Sequence, residues 1–122
     1  MSRDPRVISL DHVSVTTPGE LEQDVVAWYR DCLGLAELAK PEGTRGPGAW
    51  FEAGSAQVHV SVDPHNPSKS AHFGLEVADD RALIQRLRAA GNHIEQASGI
   101  AGRRRFFTRD PAGNRVEIVC YT

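Results

Sequence analysis

Residues 71–91 read AHFGLEVADDRALIQRLRAAG, and their pattern decides the fold. The first eight alternate, with Phe73, Leu75 and Val77 on one side and His72, Gly74 and Glu76 on the other, which predicts a strand at 71–78. The period then lengthens. Leu83, Ile84, Leu87 and Ala90 share one helical face over about 79–90, with Asp79 or Asp80 placed to cap the start and Gly91 the end. The same order occurs upstream. Residues 7–17 (VISLDHVSVTT) alternate as a strand, Pro18–Gly19 break it, and ELEQDVVAWYRDCL (20–33) carries Leu21, Val25, Trp28, Tyr29, Cys32 and Leu33 at helical spacings before Gly34. A short strand (35–38), a loop (KPEGTRGPG, 40–48) and a hairpin (49–53 with 56–63, around Gly54–Ser55) complete the first unit.

The second unit closes in the same way. A short strand near 92–95 and a loop at 96–102 lead to a hairpin of 103–109 and 114–121, joined by the turn Asp110-Pro111-Ala112-Gly113. Equivalent positions keep step, for His12 and His72 lie 60 apart, Gly34 and Gly91 57, His59 and Glu117 58. The expectation is one α+β domain, residues 1–122, made of two tandem βαβββ modules at about 7–63 and 71–121. One helix cannot cover both faces of its sheet. The modules should therefore form a cup-shaped mixed β-sheet with the helices on its outer face.

Composition narrows the function classes. The 122 residues are 40% apolar, with 14 basic and 16 acidic side chains for a net charge of −2. That suits a globular chain and gives no general attraction to nucleic acid or an acidic membrane. The longest apolar run, Val25 to Tyr29, is far short of a bilayer span, and the N-terminus lacks the apolar core of a secretory signal. Cys32 and Cys120, 88 residues apart, read as small buried hydrophobes in a reducing cytoplasm.

Strand alternation puts the polar set of each strand toward the cup. His12, His59, His72 and Glu117 then occupy matching places in the four central strands, a donor set suited to Zn, Ni, Co, Mn or Fe. Around the metal, candidate substrate contacts are Trp50 or Phe51, which point to opposite faces, together with Arg103, Arg104, Arg105 and Phe107. There Arg103, Arg105 and Phe107 share one face, and an arginine in the cup can pair with a substrate carboxylate or phosphate. Trp28 is assigned to the core, and His65 and His93 to the solvent.

The segments LDHVSV (10–15), AWYRDCLGL (27–35), WFEAGSAQVHVSV (50–62), AHFGLEV (71–77) and FTRDPAGNRVEIV (107–119) resemble the vicinal oxygen chelate superfamily. Its members include glyoxalase I, fosfomycin resistance proteins, methylmalonyl-CoA epimerase, extradiol dioxygenases and bleomycin-binding proteins. The resemblance implies a metal cup built from paired βαβββ modules, with His12, His72 and Glu117 at ligand positions. His59 stands where glyoxalase I has Glu and the epimerase Gln. It further implies a metal-dependent glyoxalase-like lyase or isomerase that grips a small substrate through vicinal oxygens, with Glu117 as the candidate general base and Glu76, four residues from His72, as a second. The alternatives are an Fe(II) extradiol-type dioxygenase, which also uses two His and one carboxylate, and a non-catalytic antibiotic-binding protein. A homodimer is expected, its cup formed either within one chain or between two.

Overall fold

The structure, a computed structural model, describes residues 4–44 and 46–122. Its elements are β1 (His12–Thr17), α1 (Glu22–Ala27), β2 (Ala36–Leu38), β3 (Ala49–Ala53), β4 (Ala56–Val62), β5 (His72–Glu76), α2 (Asp80–Ala89), β6 (Glu95–Gln96), β7 (Arg103–Arg109) and β8 (Arg115–Tyr121). They make two four-stranded mixed sheets, ordered β1-β4-β3-β2 and β5-β8-β7-β6. In each, the first strand runs parallel to the last and the other pairs are antiparallel. This is the α+β fold of two repeated modules that the sequence predicts. Strands β1 and β5 are edges, each with one sheet neighbour.

Alternation sets the core. Val15, Phe51, Val58 and Val60 of the first sheet and Phe106, Val116 and Ile118 of the second share one buried cluster with Val25, Trp28, Tyr29, Leu83 and Leu87. The apolar faces of both sheets therefore back onto a common core, and the polar faces point away from it. Bonds between the modules hold this arrangement. Trp28 Nε1 donates to Asn92 Oδ1 at 2.8 Å, Arg86 Nε to the Cys32 carbonyl at 2.9 Å, and Asn114 Nδ2 to the Thr16 carbonyl at 2.9 Å.

Three local expectations change. Residues 7–11 are not strand. Val7 and Ile8 are almost wholly exposed, because the edge beside them has no further partner among the described residues. The helix predicted over 20–33 divides into a 3₁₀ turn (Gly19–Leu21), α1 and a π-helical turn (Trp28–Cys32), closed by Leu33 N–H donating to the Trp28 carbonyl at 3.1 Å. Widening the last turn lets the consecutive rings of Trp28 and Tyr29 both reach the core, where they pack edge to face at 4.9 Å. His65 is not free in solvent. Its Nε2 donates to the Ala112 carbonyl at 2.7 Å and its Nδ1 accepts from the Thr16 hydroxyl at 2.6 Å, which ties the inter-module linker to both halves.

Helix α2 is capped by Asp79, which accepts from Ala82 N at 3.0 Å. The next residue, Asp80, is buried and receives Arg104 Nε at 2.8 Å and Nη2 at 2.9 Å. These hydrogen bonds hold the Asp80 carboxyl down to about 2, against an ordinary 3.8. The folded-state pKa is depressed, so this stabilisation is complete above 3.8 and is lost as pH falls toward 2. In urea titrations the wild type should exceed Asp80→Asn by a constant margin from neutral pH down to about 5, closing between about 4 and 2. A margin unchanged by acid would assign the effect to packing alone.

Candidate metal centre

Each module places one pair of donor side chains on its polar face. In the first, Ser14 faces His59 and His12 faces Gln57, so His12 and His59 are diagonal neighbours. In the second, Gly74 faces Glu117 and His72 faces Arg115, so His72 and Glu117 stand in the same diagonal relation. The two pairs come from equivalent strands at equivalent register. They do not meet within one chain: among the described residues, no three His, Cys, Asp or Glu side chains converge as a metal site.

The hydrogen bonds of the histidines bear on whether they fit a cation. His72 Nδ1 donates to the Ser70 carbonyl at 2.9 Å, since a carbonyl can only accept. In the neutral ring this leaves a lone pair on Nε2, which nevertheless sits 3.0 Å from Glu117 Oε1. Two electron pairs at that distance need a proton or a metal ion to hold them together. Beside them, His12 Nδ1 meets Asp11 Oδ2 at 2.7 Å and His59 Nε2 meets Gln57 Oε1 at 2.8 Å. Both partners are oxygen acceptors, so the opposite nitrogens, His12 Nε2 and His59 Nδ1, carry the lone pairs. Each imidazole thus has one nitrogen anchored to an oxygen and the other left as a ligand, the usual outer support of metal-bound histidine. The donor set fits a divalent cation.

The first pair is further ordered by stacking. His59 lies flat against Trp50 at 3.9 Å and against His12 at 4.3 Å. Burial, and next the neighbouring His12, holds the His59 pKa below that of an ordinary histidine, which favours the neutral ring that a metal requires. The stack leaves the two rings parallel. A shared ion asks for a rotation of His12, whose side chain is 45% exposed.

The remaining candidates separate by face. Trp50 joins the histidines, whereas Phe51 is fully buried in the core, so Phe51 is corrected from substrate contact to packing residue. Arg105 lies beside Glu117, with Nη1 3.4 Å from Oε2, and Phe107 packs edge to face on His72 at 5.0 Å. Arg103 is on the same face, over the Tyr121 ring at 4.8 Å. Arg104 points the other way to Asp80 and is likewise corrected, because strand alternation sends it to the helix side. Glu76 is exposed on β5, paired with Val119 in the strand ladder, and its side chain makes no hydrogen bond among the described residues. Sequence reading did not single out Gln57 and Asp11, which orient the histidines; each stands one or two residues from a candidate ligand, and that adjacency was the available signal. A cavity of about 930 Å³ lies away from all four donors, lined by Val13, Val58, Phe73, Leu75, Leu83 and Ile118 on the apolar faces.

The family model for the Glyoxalase/Bleomycin resistance protein/Dioxygenase superfamily matches residues 9–118. The chain belongs to this superfamily. It is 31% identical to a glyoxalase family protein from Bacillus anthracis, with a TM-score of 0.88 over 98% of this chain and 100% of that one. The superfamily fold also matches lactoylglutathione lyase from Agrobacterium tumefaciens (22% identity, TM-score 0.71, 96% of both chains). A third match is TnmS3, an antibiotic binding protein from Streptomyces sp. CB03234 (18% identity, TM-score 0.76, 95% of this chain and 98% of that one). No curated protein matches the chain. The superfamily thus holds both enzymes and binders of small molecules on one architecture. Among the described residues, no helix is long and apolar enough to cross a membrane.

Proposed function

We propose that the protein is a metal-dependent lyase or isomerase of the glyoxalase kind, acting on a small molecule through two adjacent oxygens. The carrying observation is the repeated diagonal pair, His12 with His59 and His72 with Glu117, each imidazole already anchored through its far nitrogen. One chain offers these donors two at a time. The cup is therefore completed by two chains, the first module of one against the second module of its partner, in a homodimer of C₂ symmetry. The open edges of β1 and β5, and the apolar cavity between them, are where the two copies would meet.

A divalent cation held by these four side chains supplies Lewis acidity to vicinal substrate oxygens and stabilises the charge that develops there. The protein's own groups do the rest. Glu117 has one oxygen toward His72 and the other toward Arg105, so it is ordered at both ends and can carry a proton at the substrate α-carbon. Trp50 and Phe107 form flat apolar walls on either side of the donors. These walls exclude water from the proton transfer.

Exchange of the α-protons of a 2-hydroxyketone such as hydroxyacetone with D₂O, followed by NMR, tests this reading. Exchange should require the metal and fall by about a hundredfold or more in Glu117→Gln, whose amide can still ligate but cannot accept the proton. Exchange at the wild-type rate in that variant would remove Glu117 as the base. Metal analysis of untagged protein separates the reaction classes. Zn, Ni or Co accords with a lyase or isomerase, Fe with a dioxygenase and no metal with a binding protein.

A further inference from the structure

We infer that Arg103 and Arg105 form an oxyanion clamp that restricts the substrate to molecules bearing a carboxylate or phosphoryl group a few bonds from the chelating oxygens. This rests on the reading of the cup as the substrate site.

Five arginines lie on β7 and β8, and three are fully engaged. Arg104 is locked to Asp80 on the opposite face. Arg109 gives its guanidinium to the carbonyls of Ser68, Lys69 and Gly113. Arg115 lies 3.6 Å over the Phe107 ring, with Glu95 at 3.5 Å and the Ser70 carbonyl at 3.4 Å. Arg103 makes no side-chain hydrogen bond among the described residues, and Arg105 gives Nη1 to Glu117 Oε2 at 3.4 Å and Nη2 to the Ser98 carbonyl at 2.8 Å, yet both differ from these at Nε. Each has a buried Nε with no hydrogen-bond partner, and these are the only buried side-chain nitrogens or oxygens so left among the described residues. A guanidinium donor removed from water without an acceptor lacks a ligand atom.

Strand register puts both side chains on the polar face that carries Glu117. Arg105 is held by Ser98, whose carbonyl takes Nη2 at 2.8 Å, and its side chain is only 13% exposed. Arg103 rests on Tyr121, with no carboxylate within ion-pair distance among the described residues. Two residues of strand separate them, about 7 Å. The polar face of this sheet carries Arg103, Arg105, Arg109 and Arg115 against Glu76, Glu95 and Glu117, so it keeps one unmatched positive charge beside the metal donors. Planar forks of this kind bind the paired oxygens of a carboxylate or a phosphoryl group. Both arginines belong to one module, so the clamp is complete in a single chain, unlike the cation site.

The test titrates metal-stripped protein with methylphosphonate and, separately, acetate, by NMR or calorimetry. Saturable binding is expected at one site per chain. It should weaken by about tenfold or more in Arg103→Met and in Arg105→Met and be partly kept in Arg103→Lys, which retains the charge but not the fork. Arg88→Met, on the exposed face of α2, should bind as the wild type does. Tighter methylphosphonate identifies a phosphoryl substrate, and tighter acetate a carboxylate. No saturable binding in the wild type, or equal affinity in Arg103→Met and Arg88→Met, overturns the clamp. Co(II) titration of the same proteins keeps the two readings apart. Cobalt bound without the anion refutes the clamp and leaves the metal reading standing; the anion bound without cobalt does the reverse. Urea midpoints confirm that each variant is folded.

Discussion

Chains carrying His12→Ala and chains carrying Glu117→Ala, each alone binding Co(II) at least about a hundredfold more weakly than wild type, should regain about a quarter of the wild-type sites when mixed and re-equilibrated. The number follows from the division of donors. His12 and His59 belong to one wall, His72 and Glu117 to the other, and no described trio converges within a chain. Random exchange makes about half of the dimers mixed. In a mixed dimer one cup takes both intact walls and the other takes both damaged ones. The visible absorption of bound Co(II) counts the restored sites, and native mass spectrometry counts the mixed dimers. If mixed dimers form and no site returns, the cup is not shared between chains.

The largest effect on stability should come from Asp110→Ala. Asp110 is buried in the β7–β8 turn and accepts four hydrogen bonds: from the Tyr29 hydroxyl at 2.8 Å, from Ala112 N at 2.9 Å, from Asn114 N at 3.0 Å and from Asn114 Nδ2 at 2.8 Å. Burial, and then the adjacent Asp110, raises the Tyr29 pKa well above that of an ordinary tyrosine, so the phenol stays protonated and donates. Removing the carboxylate orphans donors from both modules at once. The expected loss is about 3–4 kcal/mol in urea unfolding, or roughly 10–15 °C in Tm. Tyr29→Phe deletes one donor and leaves three, and should cost only about 1–1.5 kcal/mol. An Asp110→Ala midpoint close to that of Tyr29→Phe would reduce the junction to a local turn.

Much of this was legible in the sequence because strand alternation is a strong local signal. Arg103–Arg109 is a strand from end to end as predicted, and the division of Trp50 from Phe51, or of Arg104 from its neighbours, follows from a period of two. The Asp110-Pro111-Ala112-Gly113 turn could be read from residue type, but the reach of Asp110 to Tyr29, 81 residues away, could not. His65 illustrates the same limit. Its role depends on Thr16 and Ala112, which only tertiary packing brings to it. The π-helical turn escaped because helical spacing does not record that Trp28 and Tyr29 both need the core. Periodicity also assigns a side chain to one face of its own sheet, with no information on how two sheets lie to each other. The four candidate donors could therefore be placed on polar strand faces, while their separation into two pairs emerged only from the fold.

The unequal ends of the repeat set the electrical character of the centre. Where the second module closes with Glu117, the first has His59. With a dication bound as proposed, three imidazole ligands and one carboxylate would leave about one unit of positive charge uncompensated, whereas a second carboxylate would cancel it. A centre of that sign would lower the energy of an anion formed on the bound molecule, so a single asymmetry between duplicated halves would bias the pocket toward enolates and alkoxides over their neutral parents.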